Sequence, residues 1–257
     1  MKKIAITLSL FLVLFGGYSF WRHAGRTVDG PGSGLFLQEI AEFGVAGGLG
    51  NLVGIQPYML PVDYASEEHF FRKITGYFDA AEKKGWLHKN TIVVLPEYLG
   101  AWLVAAGEKR AVYQAANIEA AMQTMVLSNL FSFLKTLPFA KGKDVIKDSV
   151  FRMKAASMAQ IYHNVFSRLA QQYAVTIVAG SIVLPAPRIR EGQLTVGDRE
   201  LYNVSVVYRS DGTPYQRLVK KVFPINDELP FTARSAADSL PVFETPAGKL
   251  GVLICAD

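Results

Sequence analysis

Four side chains of this sequence are suited to chemistry at the ends of apolar segments. Glu97, the pair Lys220 and Lys221, and Cys255 each follow such a segment directly or within two residues. A carboxylate at the edge of a buried strand suits a general base, and a thiol beside a base and a cation suits a nucleophile. Each also has an ordinary structural interpretation: an ion-pair partner or helix N-terminal acid, a solvated strand tip, and a small buried hydrophobe. Position alone leaves both interpretations open.

The remaining reactive residues indicate no competing site. His23, His69, His88 and His163 lie at no predicted strand end and lack the spacing of metal ligands. Cys255 is the single cysteine, which excludes a disulfide scaffold and a cysteine-rich zinc or iron–sulfur site. We therefore expect no metal site.

The composition is that of a folded domain. Of the 257 residues, 50% are hydrophobic and 19% are charged, which excludes disorder over most of the length because disordered chains are poor in apolar residues. The net charge of +5 comes without a run of basic residues, so no nucleic-acid partner is expected. The length suits one large domain or two small ones.

The first 26 residues are typical of a targeting segment. Residues 4–21 carry no charge and lie between Lys3 and Arg22. A signal-peptide core needs about 7–15 apolar residues, whereas a spanning helix needs about 17–25. We therefore favour an uncleaved membrane anchor over a cleaved signal peptide in residues 1–26. The protein is expected to be membrane-anchored or exported, on the periplasmic side.

Glycines set residues 27–50 apart from the rest of the chain. The stretch 29–34 reads DGPGSG, and residues 44–50 contain four more glycines. A phosphate-binding loop would follow a strand and open a helix, but these glycines precede an apolar run. We therefore predict a turn-rich linker over 27–50 and a single domain over 51–257.

Apolar periodicity in this domain predicts alternating strands and helices. Ser66 is predicted to cap the first helix of the domain, since Glu67 and Glu68 follow it. The predicted elements are a strand over 52–59, a helix over 66–84, a strand over 91–95, mostly helix over 101–170 with a polar break at 142–147, a strand over 174–184, and hairpins over 201–223 and 241–255. This order predicts an α/β sandwich with helices packed outside sheets.

Three segments resemble the signature regions of the nitrilase, or carbon–nitrogen hydrolase, superfamily. They are 91–97 (TIVVLPE), 221–228 (KVFPINDE) and 248–257 (GKLGVLICAD), and they follow one another in the family's order of glutamate, lysine and cysteine. The resemblance extends from about residue 51 to residue 257. It selects Lys221 because a proline and a glutamate follow it at the family's spacing, and Lys220 stays the alternative.

The resemblance implies a four-layer α-β-β-α sandwich and a cofactor-free hydrolase. Cys255 would attack the carbon of a small-molecule amide, nitrile or acyl substrate, and Glu97 would act as general base and acid. Lys221, together with the backbone N–H of Ala256, would face the oxyanion. Glu228 would orient the lysine or serve as a second acid/base. Since family sandwiches often pair, a homo-oligomer is also expected.

Two departures from the family leave alternatives open. In the family further helices and strands follow the nucleophile, so we expect the C-terminal part of the sandwich to be missing from this sequence, which ends at Asp257. A non-catalytic or partner-completed fragment is therefore the first alternative. The N-terminal apolar segment and the weakly charged stretch 101–140 resemble the membrane-bound branch that includes apolipoprotein N-acyltransferase. A membrane-associated N-acyltransferase is the second alternative.

Overall fold

A computed structural model describes residues 2–28, 30–38, 40–45 and 47–257. Met1 of the predicted targeting segment lies outside these described residues, as do Asp29, Glu39 and Ala46 of the predicted linker.

The described chain contains both helices and strands, and most of the strands follow the last α-helix. The helices are α1 (Lys2–His23), α2 (Glu67–Lys83), α3 (Arg110–Tyr113), α4 (Ile118–Ser128), α5 (Leu130–Thr136) and α6 (Val145–Tyr173). The strands are β1 (Asn51–Gly54), β2 (Thr91–Val94), β3 (Thr176–Val178), β4 (Ile182–Pro185), β5 (Arg188–Arg190), β6 (Gln193–Thr195), β7 (Leu201–Ser205), β8 (Val207–Tyr208), β9 (Val219–Lys220), β10 (Val242–Thr245) and β11 (Gly248–Gly251). The predicted α/β class is confirmed.

The strands of the described residues form two main sheets and two hairpins. In the first sheet the order is β1-β2-β3-β8, with β1, β2 and β3 parallel and β8 antiparallel to β3. The second sheet has the order β4-β7-β9 and is antiparallel. The pairs β5–β6 and β10–β11 are antiparallel hairpins. Parallel strands that are buried on both faces read as continuous apolar runs, which is why the TIVV sequence of β2 was recognisable.

The first sheet is covered on both faces. Val93 and Ile177 pack on one side into the main core, which contains Phe166 and the apolar faces of α2 and α6. Ile92 packs on the other side with Phe243 of β10. Helices therefore pack on one face of this sheet and the β10–β11 hairpin packs on the other.

The helix ends follow their capping residues. The side chain of Ser66 accepts a hydrogen bond from the backbone N–H of His69, as predicted from the sequence. Asp144 does the same for α6, accepting from the N–H of Lys147 at 3.0 Å. The polar break predicted at 142–147 is therefore too long, because its Asp144 starts a helix.

The single strand predicted over 174–184 is wrong, because the chain changes sheets within it. β3 ends at Val178 and β4 begins at Ile182, and the residues between them bind the loop that follows β2. The backbone N–H of Gly100 donates to the carbonyl of Ser181 at 2.9 Å. A side chain at Gly180 would collide with the carbonyl oxygen of Pro96. Contact with this loop therefore breaks an apolar run that sequence alone reads as continuous.

The N-terminal helix packs on the helical part of the domain. The Tyr18 hydroxyl donates to the carbonyl of Leu127 at 3.0 Å, and the rings of Tyr18 and Phe15 contact Phe131. Most other apolar side chains described on α1 are exposed. Within the residues that the structure describes, no helix has the length and apolar character needed to cross a membrane. The anchor and the signal stay predictions.

Part of the predicted linker lies against the domain. Asp63 is fully buried and accepts hydrogen bonds from the backbone and hydroxyl of Ser33 at 2.7 and 2.6 Å. Lys73 donates to the Ser33 hydroxyl and to the Gly34 carbonyl at 2.7 and 2.6 Å. These buried polar contacts hold residues 30–34 on α2.

Candidate active site

Glu97 lies in a strained turn, three residues after the end of β2 at Val94. The next residue, Tyr98, has a φ of +62°, in the left-handed region that non-glycine residues rarely adopt. Its backbone N–H donates to the Ser181 hydroxyl at 2.8 Å, which holds the turn against the chain between the two sheets. Such strain is sustained only where surrounding contacts fix the backbone, and it concentrates at functional sites.

Lys221 is carried to the same place by the second sheet. It directly follows β9, and its backbone N–H donates to the carbonyl of Asn203 on β7 at 2.9 Å. Its side chain is 1% exposed. The ammonium Nζ lies 2.8 Å from Glu97 Oε1 and 2.7 Å from Glu228 Oε2. A buried ammonium requires such partners, and here two carboxylates share it.

Glu228 completes the cluster from the turn after Lys221. Its Oε2 accepts from the backbone N–H of Ile225 at 2.7 Å, and its Oε1 accepts from the Tyr98 hydroxyl. The Asn203 amide donates to Glu228 Oε1 at 3.1 Å and to Glu97 Oε1 at 2.8 Å. We call the group formed by Glu97, Tyr98, Asn203, Lys221 and Glu228 the Lys221 cluster.

The charges of this cluster stabilise one another against burial. Desolvation on its own would lower the pKa of Lys221, but the hydrogen bonds and charges of Glu228 and Glu97 raise that pKa above its usual value. For Glu228, desolvation acts to raise the pKa, and hydrogen bonds from Lys221 and Tyr98 outweigh it and lower the pKa. Burial and the hydrogen bond to Glu228 raise the pKa of Tyr98. Lys221 is thus held charged and Tyr98 protonated.

Cys255 lies in a turn that Asp257 connects to the backbone directly after Lys221. Asp257 Oδ1 accepts from the backbone N–H groups of Val222 and Phe223 at 2.8 and 2.9 Å, and Oδ2 accepts from Ile254 N–H at 3.2 Å. Cys255 has a φ of +56° and is exposed. The interpretation of this cysteine as a small buried hydrophobe is therefore wrong.

The structure brings together three of the predicted residues and ties the fourth to them. Glu97, Lys221 and Glu228 are in direct contact. Cys255 lies two residues before Asp257, which binds the backbone N–H groups of Val222 and Phe223 next to Lys221.

Two predicted positions stand apart from these contacts. Lys220 instead lies over the ring of Tyr202, at 4.3 Å from its centroid. The role of the Ala256 backbone N–H stays a prediction.

Sequence reasoning missed Asn203, Tyr98 and Asp257. A fully buried asparagine in the middle of β7 was a usable signal, because a buried amide needs polar partners. Tyr98 and Asp257 neighbour predicted residues, but only the turns show what they contact. Among the described residues, no group of His, Cys, Asp and Glu could hold a metal ion.

The chain matches known proteins over parts of its length. No protein-family model matches it. Among curated proteins it is similar to the probable hydrolase YhcX of Bacillus subtilis (strain 168), with 31% identity over 96 residues. The matched segment is 37% of this chain and 16% of that protein.

Solved structures of nitrilase-superfamily proteins are among those that the chain resembles. Nit3 of Saccharomyces cerevisiae, a member of branch 10 of that superfamily, matches with 17% identity and a TM-score of 0.38, over 74% of this chain and 50% of Nit3. An amidase from Nesterenkonia sp. matches with 12% identity and a TM-score of 0.44, over 79% of this chain and 54% of the amidase. The chain spans about half the length of these two structures.

Proposed function

We propose that this chain belongs to the nitrilase superfamily and hydrolyses the carbon–nitrogen bond of a small-molecule amide through a thioester at Cys255. One observation carries the proposal. The Lys221 ammonium lies within hydrogen-bond distance of both Glu97 and Glu228, and Asp257 ties the Cys255 turn to the backbone that follows Lys221. These contacts support a site in which Glu97 is the base, Lys221 the cation and Cys255 the nucleophile.

Acylation follows from these contacts. Glu97 takes the thiol proton, and the Cys255 sulfur attacks the carbonyl carbon, so that an S–C bond forms and the C=O π pair moves onto oxygen. An ammonium has three N–H donors; two of those on Lys221 point to carboxylates, and the third faces the oxyanion beside the N–H of Ala256. Glu97 then protonates the nitrogen, the C–N bond breaks, and ammonia or an amine leaves. Glu228 keeps Lys221 in position.

Deacylation reuses the same base. Glu97 takes a proton from water, the hydroxide attacks the thioester carbon, and the C–S bond breaks with return of the proton to Cys255. If an amine replaces water, the same site is an N-acyltransferase. The exposed apolar side chains of α1 favour this second candidate, because they suit a protein that meets its substrates at a membrane.

The proposal is tested by the release of ammonia from simple alkyl amides by the full chain. Glu97→Gln is expected to lower the rate about 10²- to 10⁴-fold, since general acid–base catalysis contributes that much. Cys255→Ala is expected to abolish it. Glu119→Gln makes the same chemical change at an exposed position on α4 and is expected to leave the rate unchanged.

A second measurement follows alkylation of Cys255 by iodoacetamide between pH 5 and 9, read by mass spectrometry. Lys221→Ala is expected to slow alkylation at neutral pH, because the thiolate loses a nearby cation. Identical alkylation profiles in the parent and Lys221→Ala, with no ammonia released by the parent, would contradict the proposal. That result would instead favour a non-catalytic or partner-completed fragment.

A further inference from the structure

A cavity of about 690 Å³ lies beside the Lys221 cluster. It is lined in part by Tyr98, the residue after Glu97, and by Ala101 and Trp102 of the same segment. The Tyr98 hydroxyl donates to Glu228, so one side chain belongs to both the cluster and the cavity. This volume falls within the range of about 300–1,000 Å³ that is usual for small-molecule sites.

Glu228, the second glutamate of the cluster, is also connected to the cavity wall. Phe231, which lines it, donates its backbone N–H to the carbonyl of Glu228 at 2.9 Å. The Phe231 ring stacks on Phe151 of α6 at 5.7 Å between centroids. The segments that follow Glu97 and Glu228 therefore build two walls of one cavity.

The chemistry of the wall is apolar. Most of its lining side chains are aliphatic, aromatic or methionine. Three of its polar side chains are already paired within the protein: the Tyr113 hydroxyl donates to the Ala105 carbonyl at 2.7 Å, Asn117 caps α4, and Lys147 lies 3.1 Å from the Asp144 carboxylate. Few polar groups are left to bind a polar ligand, so burial of apolar surface is what this cavity offers.

The cavity is reachable from solvent. Leu60, Trp102 and Ile118 line it and are themselves 39%, 47% and 52% exposed. Exposed apolar side chains that line one groove together are found at ligand-binding sites. An apolar group can therefore enter without unfolding the domain.

We propose that this cavity binds the apolar part of the substrate, and that the substrate class is amides that carry a long alkyl group. The assignment rests on the proposed function, since it takes an amide as the group that reacts at Cys255. Tyr98 lies between the two parts of the site, with its ring against the alkyl group and its hydroxyl on Glu228. The alkyl group is held in the cavity while its amide end faces the Lys221 cluster.

The test is equilibrium binding of butanamide, hexanamide, octanamide and decanamide to the full chain carrying Cys255→Ala, by calorimetry in detergent-free buffer. We expect affinity to rise about fourfold for each added methylene, which corresponds to the transfer free energy of one buried CH₂.

Ala121→Trp, on the wall formed by α4, is expected to remove that rise because the indole fills the cavity. Gln123→Trp, exposed on the same helix and outside the wall, is expected to keep it. Ala115→Trp blocks the cavity from the preceding loop and replaces Ala121→Trp if that variant does not fold.

Binding and turnover separate this assignment from the proposed function. Affinity that rises with chain length and is lost on blocking the cavity supports the cavity as the alkyl-binding part of the site. If the parent chain then releases no ammonia, it is the proposed function that fails, and with it the assignment of these amides as substrates. Ammonia release with equal affinity for all four amides overturns the assignment and leaves the proposed function standing. A chain-length effect that survives both Ala121→Trp and Ala115→Trp overturns it as well, because the alkyl group then binds elsewhere.

Discussion

Two buried charge clusters in this protein differ in their ratio of cations to carboxylates. In one, the fully buried carboxylate of Glu108 meets two cations, Arg26 at 3.3 Å and Lys154 at 2.8 Å. In the other, the Lys221 cluster, one ammonium meets two carboxylates. The first has more cations than carboxylates, and the second has more carboxylates than cations. This difference separates a structural contact from a group that is free to accept a proton.

The carboxylate of Glu108 is saturated with donors. Oε1 accepts from Lys154 and Asn129, and Oε2 accepts from Arg26, Asn129 and Ser128. These partners come from the segment that follows α1, from the junction of α4 and α5, and from α6. Protonating this carboxylate would weaken two ion pairs at once, so its role is to hold elements together.

Glu97 is not saturated in this way. Among the described residues, the hydrogen bonds to its carboxylate, from Lys221 and Asn203, all go to Oε1. Its side chain is 22% exposed. A carboxylate with a second oxygen left for a proton, next to a shared cation, is suited to general acid–base chemistry.

The largest effect is expected from removing the cation of the Lys221 cluster. Lys221→Met leaves two carboxylates without their ammonium and is expected to lower the free energy of unfolding by about 3–5 kcal/mol, the usual cost of breaking a buried ion pair. It is also expected to abolish ammonia release. Lys220→Met is the matched control and loses only a contact with the Tyr202 ring, about 1 kcal/mol. Urea unfolding of both variants measures the difference, and equal losses would contradict the assignment of Lys221.

A smaller effect is expected at the Glu108 cluster. Glu108→Gln leaves Arg26 and Lys154 without a carboxylate, and we expect a loss of about 2–3 kcal/mol, less than for a fully buried pair because these cations keep 22% and 13% exposure. The rate of ammonia release per folded molecule is expected to stay unchanged. Glu97→Gln should show the reverse: a large loss of rate with little loss of stability. If both glutamates change the same property, the distinction between the clusters is wrong.

Parts of the fold and of the site could be predicted from local sequence patterns. The TIVV run before Glu97, the cap at Ser66 and the β10–β11 hairpin follow from local patterns and are found in the structure. The register of Lys221 came from its spacing to a proline and a glutamate, and Lys221 is the lysine that reaches Glu97.

Contacts between segments that are distant in sequence could not be predicted from local patterns. Asn203 meets Glu97 across 106 positions of sequence, and the break between β3 and β4 depends on the loop after Glu97. Neither contact leaves a periodic signal, because each is set by how two sheets and a loop meet. The exposure of Cys255 was hidden for the same reason, since a five-residue apolar run looks buried whatever covers it.

A modest effect is expected at Tyr98, the link between the cluster and the cavity. Tyr98→Phe removes the hydroxyl donor to Glu228 and keeps the ring on the cavity wall. We expect a loss of about 1.5–3 kcal/mol in stability, the usual value for one hydrogen bond to a charged group, with little change in alkyl-amide affinity. Thermal unfolding and calorimetry on one preparation measure both. A large loss of affinity would mean that the hydroxyl, rather than the ring, contacts the ligand.

The smallest expected effect is the pH dependence of stability. The folded state holds the pKa of Glu228 below its usual value of 4.5, so the unfolded chain binds more protons as the pH falls. Glu228 therefore contributes stability that is fully present above about pH 4.5 and is lost as the pH falls through its folded pKa. Burial lowers the pKa of His163 from 6.5, which gives a separate loss of stability that begins as the pH falls below about 6.5.

Urea unfolding from pH 8 to pH 3 is expected to show stability falling in both of these pH windows. Glu228→Gln should remove only the lower one, because His163 lies outside the Lys221 cluster and pairs with the Tyr208 hydroxyl instead. If Glu228→Gln leaves the lower window in place, the acid-labile carboxylate belongs elsewhere, and the difference between a saturated and a shared carboxylate would have to be sought in activity alone.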